Sequence, residues 1–207
     1  MPFSARTPPA HSELAKAGAV TVYNASGEVI PLGQLFDNIG AQGEGRAVVI
    51  FIRHFFCGLC QDYLTYLAAH LPASLLLDHN IKLSIVGCGD WKLIAAYKET
   101  LNVPFDVYAD PSKKSYEALG MTLRTLDMGR ETPYYVRSGT LGNIFSSIWN
   151  AFKIKGFTSA GDIKQLGGEF VFAKGEPVYT HRMENTRGHA PFNELLEAMG
   201  LPPQPDA

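Results

Sequence analysis

Cysteine is scarce in this chain. Cys57, Cys60 and Cys88 are the only three in 207 residues, too few for a disulfide framework, and a small secreted domain carries an even, denser set. Charge of either sign is also missing in excess. Eighteen Lys and Arg against 20 Asp and Glu leave a net charge of −2, and no basic run is present to track the phosphates of a nucleic acid. Long apolar runs are absent too, so no membrane span is expected. The stretch Met1-Pro2-Phe3-Ser4-Ala5-Arg6-Thr7-Pro8-Pro9 has no apolar core of the kind a signal peptide needs. A reducing, cytoplasmic setting is the expectation, and there a close cysteine pair means catalysis, redox sensing or metal binding. Metal ligands are missing as well. A closed zinc site takes four, and the chain has neither a second Cys-x-x-Cys nor a His-x-x-x-His. No metal and no cofactor are expected.

What is present centres on Ala47 to Leu71. Ala47-Val48-Val49-Ile50-Phe51-Ile52 is a short, continuous apolar run rich in β-branched residues, which suits a strand buried on both faces. After Cys60 the apolar residues Tyr63, Leu64, Leu67 and Leu71 recur at spacings of three and four, a helix period. A buried strand therefore feeds a helix, with Cys57 and Cys60 at the junction. Free N–H groups and the helix dipole favour a thiolate there. One turn of helix brings the two sulfurs within reach of each other. Inert core packing is the plain alternative for such a pair; a redox-active pair is the reading adopted.

A hydrophobic fraction of 46% is ample for one sizeable core. Residues 1–19 read as an N-terminal extension whose first ten are loose, 20–200 as one domain, and 201–207 as a tail. The expected sheet strands are Val48–Arg53, Leu83–Gly87, Phe105–Tyr108, Glu169–Phe172 and Val178–His181, the last two forming a hairpin. Helices are expected from Trp91 to about Leu101, with Asp90 as its cap, from Lys113 to Leu119 after the Asp110-Pro111-Ser112 cap, and from Pro191 through Met199 to Gly200. Asn143 to Phe152 carries Ile144, Phe145, Ile148, Trp149 and Phe152 at helical spacing and reads as a core-facing helix. Cys88, at a strand end, reads as a packed thiol. The alternation of strands and helices argues for an α/β domain with helices on both faces of the sheet.

The order of these elements is the plan of the thioredoxin fold. Together with Arg53-His54-Phe55-x-Cys57-x-x-Cys60, Tyr108-Ala109-Asp110-Pro111, Leu119-Gly120-Met121, Gln165-x-Gly167-Gly168 and His181-Arg182 followed by Gly188-His189, it resembles the peroxiredoxin-like 2 family of AhpC/TSA antioxidant-domain proteins over about residues 20 to 200. The resemblance implies a thioredoxin-like (peroxiredoxin-like) fold with a central mixed sheet flanked by helices, and a thiol redox site at the Cys-x-x-Cys. Peroxiredoxins carry Pro-x-x-x-Thr/Ser-x-x-Cys. Laid over that pattern, Cys57 takes the Thr/Ser position and Cys60 the peroxidatic one. The Arg that peroxiredoxins place before the late strand is absent from Gln165-Leu166-Gly167-Gly168, and a Gly stands where thioredoxins have a cis-Pro.

The expected activity is a thiol-dependent reduction of peroxide or disulfide, with a thiol reductant as partner and a homodimer as the expected assembly. The aromatic-rich Phe145–Phe152 segment with Tyr134, Tyr135 and Phe157 motivates the dimer. In thioredoxin-type chemistry Cys57 attacks and Cys60 resolves; on the peroxiredoxin alignment the roles reverse. Arg53 and Arg182 are candidates for lowering a thiol pKa and holding an oxygen of peroxide or sulfenate. His54 is a candidate acid or base. His181 and His189 read as structural. Two other classes stay open: a redox-sensing or binding scaffold without turnover, and a biosynthetic enzyme holding an apolar substrate under the Trp149 helix.

Overall fold

A computed structural model describes residues 3–37, 39, 44–136 and 161–204. The expected helix Asn143–Phe152 and Phe157 lie outside the described residues. Seven strands form one mixed sheet: β1 Thr21–Tyr23, β2 Val29–Pro31, β3 Arg46–Phe51, β4 Ile81–Gly87, β5 Asp106–Ala109, β6 Gly168–Ala173 and β7 Glu176–Arg182, in the order β2-β1-β5-β4-β3-β6-β7. β3 runs parallel to β4 and antiparallel to β6, so it is interior, as its continuous apolar run requires. The five expected strands are all present, with no end displaced by more than two residues. β1 and β2 pair antiparallel as a hairpin that extends the sheet at one edge.

Alternation along β3 divides the core in two. Val48, Ile50 and Ile52 pack on one face with α2 (Gly58–His70), α3 (Ala73–Asp78), α4 (Ile94–Leu101) and α6 (Phe192–Met199). Ala47, Val49 and Phe51 pack on the other with α1 (His11–Gly18), α5 (Lys114–Ala118) and the 3-10 turn Leu32–Leu35. Each fully buried aliphatic side chain of β3 contributes roughly 1.5–3 kcal/mol. The helix starts follow from their sequences. The Asp90 carboxylate accepts from Lys92 N at 3.0 Å and opens a 3-10 turn, Trp91–Leu93, that runs into α4. The Asp110 carboxylate accepts from Ser115 N at 2.9 Å inside α5. Gly200, at φ 75°, ends α6 in the left-handed conformation that glycine adopts freely.

The expectation of a loose N-terminus is corrected. Ala5 O accepts from Arg182 N at 2.8 Å, and Arg6 pairs with Glu194 at 2.6 Å. α1 buries Leu14 and Ala17 on the second face. These fixed partners across the sheet, invisible to a local reading of a Pro-rich segment, hold it in place.

Candidate active site

The loop from Ile52 to Cys57 leaves β3 at its carboxyl end, the end of a parallel sheet where α/β proteins place their sites. It is tied on several sides. Ile52 N donates to Val86 O at 2.9 Å, and Tyr116 Oη donates to Ile52 O at 2.8 Å from the opposite face. Gln61 Nε2, one turn into α2, donates to Phe55 O at 2.9 Å. Gly167 lies against Phe51, where a β-carbon would overlap the carbonyl oxygen, so a glycine is required at that strand approach.

Cys57 is the N-cap of α2, and its sulfur accepts from Cys60 N at 3.4 Å. Cys60 sits in the first turn, and its own sulfur accepts from Arg53 N at 3.4 Å. Both thiols are free and buried. The Arg53 side chain is buried as well: Nη1 lies 3.3 Å from Cys57 Sγ, and Nη2 donates to Ile163 O at 2.6 Å. The environments drive the two thiols apart. A hydrogen bond from the Cys60 thiol, reinforced by the Arg53 charge, holds Cys57 well below the usual thiol range in spite of burial. Burial, and the bond Cys60 donates to Cys57, push Cys60 well above it.

Cys60 has a third neighbour. His189 Nε2 lies 3.4 Å from its sulfur, and His189 Nδ1 lies 2.6 Å from Glu169 Oε1. Glu169 is fully buried on β6. It also meets His181 Nδ1 at 2.7 Å and accepts from Ala190 N at 3.2 Å. Burial alone pushes this carboxyl up. The His189 charge and the bonds from both histidines outweigh burial and bring it down to about 2. Tyr63 stacks on the His189 ring at 4.1 Å, and Tyr135 meets the same ring edge-on. Neither Glu169 nor His189 stood out in the sequence as a thiol neighbour. The available signal was strand alternation: with Phe170 and Phe172 on the second face, Glu169 must point toward the thiol face.

The other candidates divide. His54 is buried beside the pair. Burial pushes its pKa down against the Cys57 charge, and its Nδ1 has no hydrogen-bond partner among the described residues. Arg182 is not brought to the thiols. It pairs with Gly168 across the sheet and projects from the second face, its guanidinium 5.5 Å from the Phe170 ring centre. It donates to Leu119 O at 2.5 Å, Ser4 O at 2.9 Å and Thr7 O at 2.8 Å. Adjacent residues of a strand face opposite sides, so His181 reaches the Glu169 cluster and Arg182 cannot. Cys88 is packed as expected: it donates to Arg53 O at 3.0 Å, accepts from Asp162 N at 3.3 Å, and is pushed by burial up to about 11. Tyr135, one motive for a dimer, is buried within its own chain against Tyr63. Among the described residues no group of three or more His, Cys, Asp or Glu is arranged to hold a metal ion.

Residues 67–185 match the family model for the AhpC/TSA antioxidant enzyme; the match begins after Cys57 and Cys60. The chain is 31% identical over 189 residues to human peroxiredoxin-like 2C, covering 90% of this chain and 80% of that protein. It is 30% identical over 191 residues to the mouse protein of that name, covering 91% and 81%. Among solved structures, a peroxiredoxin-like protein from Aquifex aeolicus superposes with a TM-score of 0.55 at 11% identity, covering 96% of this chain and 85% of that one. The bacterioferritin comigratory protein of Xanthomonas campestris gives 0.53 at 12% identity, covering 86% and 87%. These structural likenesses carry the fold alone.

Proposed function

Because the chain belongs to the AhpC/TSA family of peroxiredoxin-like proteins, we propose that it is a thiol-dependent reductase of peroxide or disulfide that works through Cys57 and Cys60. Family membership supports a redox function of the thiol-peroxidase type, with a peroxide and a thiol reductant as partners. The observation that carries the finer reading is the inequality of the two thiols. Cys57 caps α2 with the Arg53 guanidinium 3.3 Å from its sulfur, while Cys60 is fully buried one turn deeper, where burial outweighs the Arg53 charge. That arrangement favours Cys57 as the attacking thiolate and Cys60 as the resolving thiol.

In this scheme the Cys57 thiolate takes one oxygen from a peroxide and becomes a sulfenic acid, and the alcohol or water leaves. Cys60 then attacks the Cys57 sulfur, an S–S bond replaces the S–O bond, and water departs. An external dithiol returns both cysteines to thiols. Arg53, held by Ile163 O, is placed to stabilise negative charge on Cys57. Such a cycle needs a supply of reductant, so we place the protein in a reducing compartment such as the cytoplasm. A homodimer is part of the proposal and is checked by light scattering at micromolar concentration.

The test is turnover of hydrogen peroxide with dithiothreitol as donor, compared with a Cys57→Ser/Cys60→Ser variant. Turnover lost in the variant supports the reading. Equal consumption by both proteins, or none by the native chain, contradicts it and leaves a redox-silent scaffold.

A further inference from the structure

Resolution poses a problem that the attacking thiol does not face. Cys60 is fully buried, and burial raises its pKa. Yet only its thiolate can attack the oxidised Cys57. The burial that keeps Cys60 protonated at rest must therefore come with a group that removes the proton. We propose that His189 is that group: its Nε2 accepts the proton of Cys60 as Cys60 attacks oxidised Cys57, and Glu169 is the positioning residue that fixes the ring for it. The inference rests on the reading of Cys57 and Cys60 as a redox pair.

The geometry assigns the tautomer. Glu169 is ionised and can only accept hydrogen bonds. The 2.6 Å contact from its Oε1 to His189 Nδ1 therefore needs the proton on Nδ1. In the neutral ring Nε2 then carries the lone pair, and it lies 3.4 Å from Cys60 Sγ. Tyr63, stacked at 4.1 Å, prevents the ring from turning. Glu169 is itself fixed by His181 Nδ1 at 2.7 Å and by Ala190 N at 3.2 Å. A nucleophile, a ring within reach of it and a third group orienting that ring is the general layout of an activated nucleophile. Here it is applied to the resolving sulfur.

The proton passes from Cys60 Sγ to His189 Nε2, and the electron pair left on sulfur forms the S–S bond to Cys57. The bond from Cys57 sulfur to its oxygen, or to a second thiol, breaks. The departing hydroxide or thiolate leaves with the pair, and the imidazolium returns its proton to that group or to solvent. No further oxidant or reductant is needed.

The test separates attack from resolution without a peroxide. Reduced protein is mixed with the neutral reagent dithiodipyridine, quenched at intervals and mapped by mass spectrometry. The first product is a mixed disulfide on Cys57, and the second is the Cys57–Cys60 disulfide. In His189→Gln the mixed disulfide should form at the native rate and persist about a hundred-fold longer near neutral pH, the lower range for loss of a general base. Glu169→Gln keeps the shape of the carboxylate and should lengthen its life about ten-fold. It also serves if circular dichroism shows that His189→Gln does not fold.

Base supplies the readout that a merely structural role would not move. Raising the pH should shorten the intermediate's life in His189→Gln, since hydroxide then ionises Cys60 directly. The groups facing Cys60 are Cys57, Arg53 and His189, with Tyr97, Tyr116 and Tyr135 near by; those facing His189 are Glu169, Cys60, Tyr63 and Tyr135. An unchanged lifetime in His189→Gln, or a lengthened one that base does not restore, overturns the proposal. If native protein forms no mixed disulfide on Cys57, the reading of the thiol pair fails and takes the inference with it.

Discussion

Replacing Arg53 with methionine removes the cation nearest Cys57 while keeping an unbranched side chain over the stem of the arginine. A thiolate and a guanidinium 3.3 Å apart attract by about 5 kcal/mol at an effective dielectric constant of about 20. That is a ceiling, since both groups lose water. The net worth of a hydrogen bond to a charged group is about 1.5–3 kcal/mol. At about 1.4 kcal/mol per pKa unit, the Cys57 thiol should titrate about one to two units higher in Arg53→Met. The shift stops there, because Cys60 N and the Cys60 thiol still point at the Cys57 sulfur. Arg53→Lys keeps the charge but cannot span both Cys57 and Ile163 O, so its shift should fall between the two. The assay is the rate of alkylation by iodoacetamide as a function of pH, with the label mapped to Cys57. A midpoint that moves by less than about 0.3 unit in Arg53→Met, well short of the value of such a bond, would refute the assignment of Arg53.

Three further outcomes are expected. The Glu169 carboxyl sits at about 2 in the fold against an ordinary 4.5, so its contribution of about 3 kcal/mol is fully present above the higher value and is lost as the pH falls toward the lower. Urea midpoints should drop across that acid window in the native chain and much less in Glu169→Gln; parallel curves would contradict this. Limiting iodoacetamide near neutral pH should label Cys57 before Cys60 and Cys88, because both of those thiols are buried and pushed up by burial; peptide mapping reads the order, and early labelling of Cys88 would count against it. Arg182→Met forfeits the bonds to Leu119, Ser4 and Thr7, so it should cost about 1–3 kcal/mol in a thermal melt while leaving the Cys57 alkylation rate near native.

The candidate site was legible in sequence as far as its placement is local. The buried run of β3, the helix period of Tyr63, Leu64 and Leu67, and the spacing of Cys57 and Cys60 all lie within one strand and one helix. Arg53 was legible for the same reason, four residues before the first thiol. The remainder is long-range. His189 reaches Cys60, and Glu169 reaches His189, only because β6 pairs antiparallel with β3 and the chain returns after β7, and nothing in a single sequence reports that pairing. Arg182 was misplaced on a point of strand geometry, since it and His181 are neighbours on β7 and must face opposite cores. The N-terminus was read from its prolines, yet its backbone is held by Arg182 from the far end of the chain.

The central claim is that Cys57 and Cys60 act as one redox pair. Its most direct test is the intact mass and peptide map of reduced protein treated with one equivalent of hydrogen peroxide. The account predicts the loss of two hydrogens and a peptide linking Cys57 to Cys60, with Cys88 still a thiol. Unchanged thiols at Cys57 and Cys60, or oxidation that begins at Cys88, would contradict it.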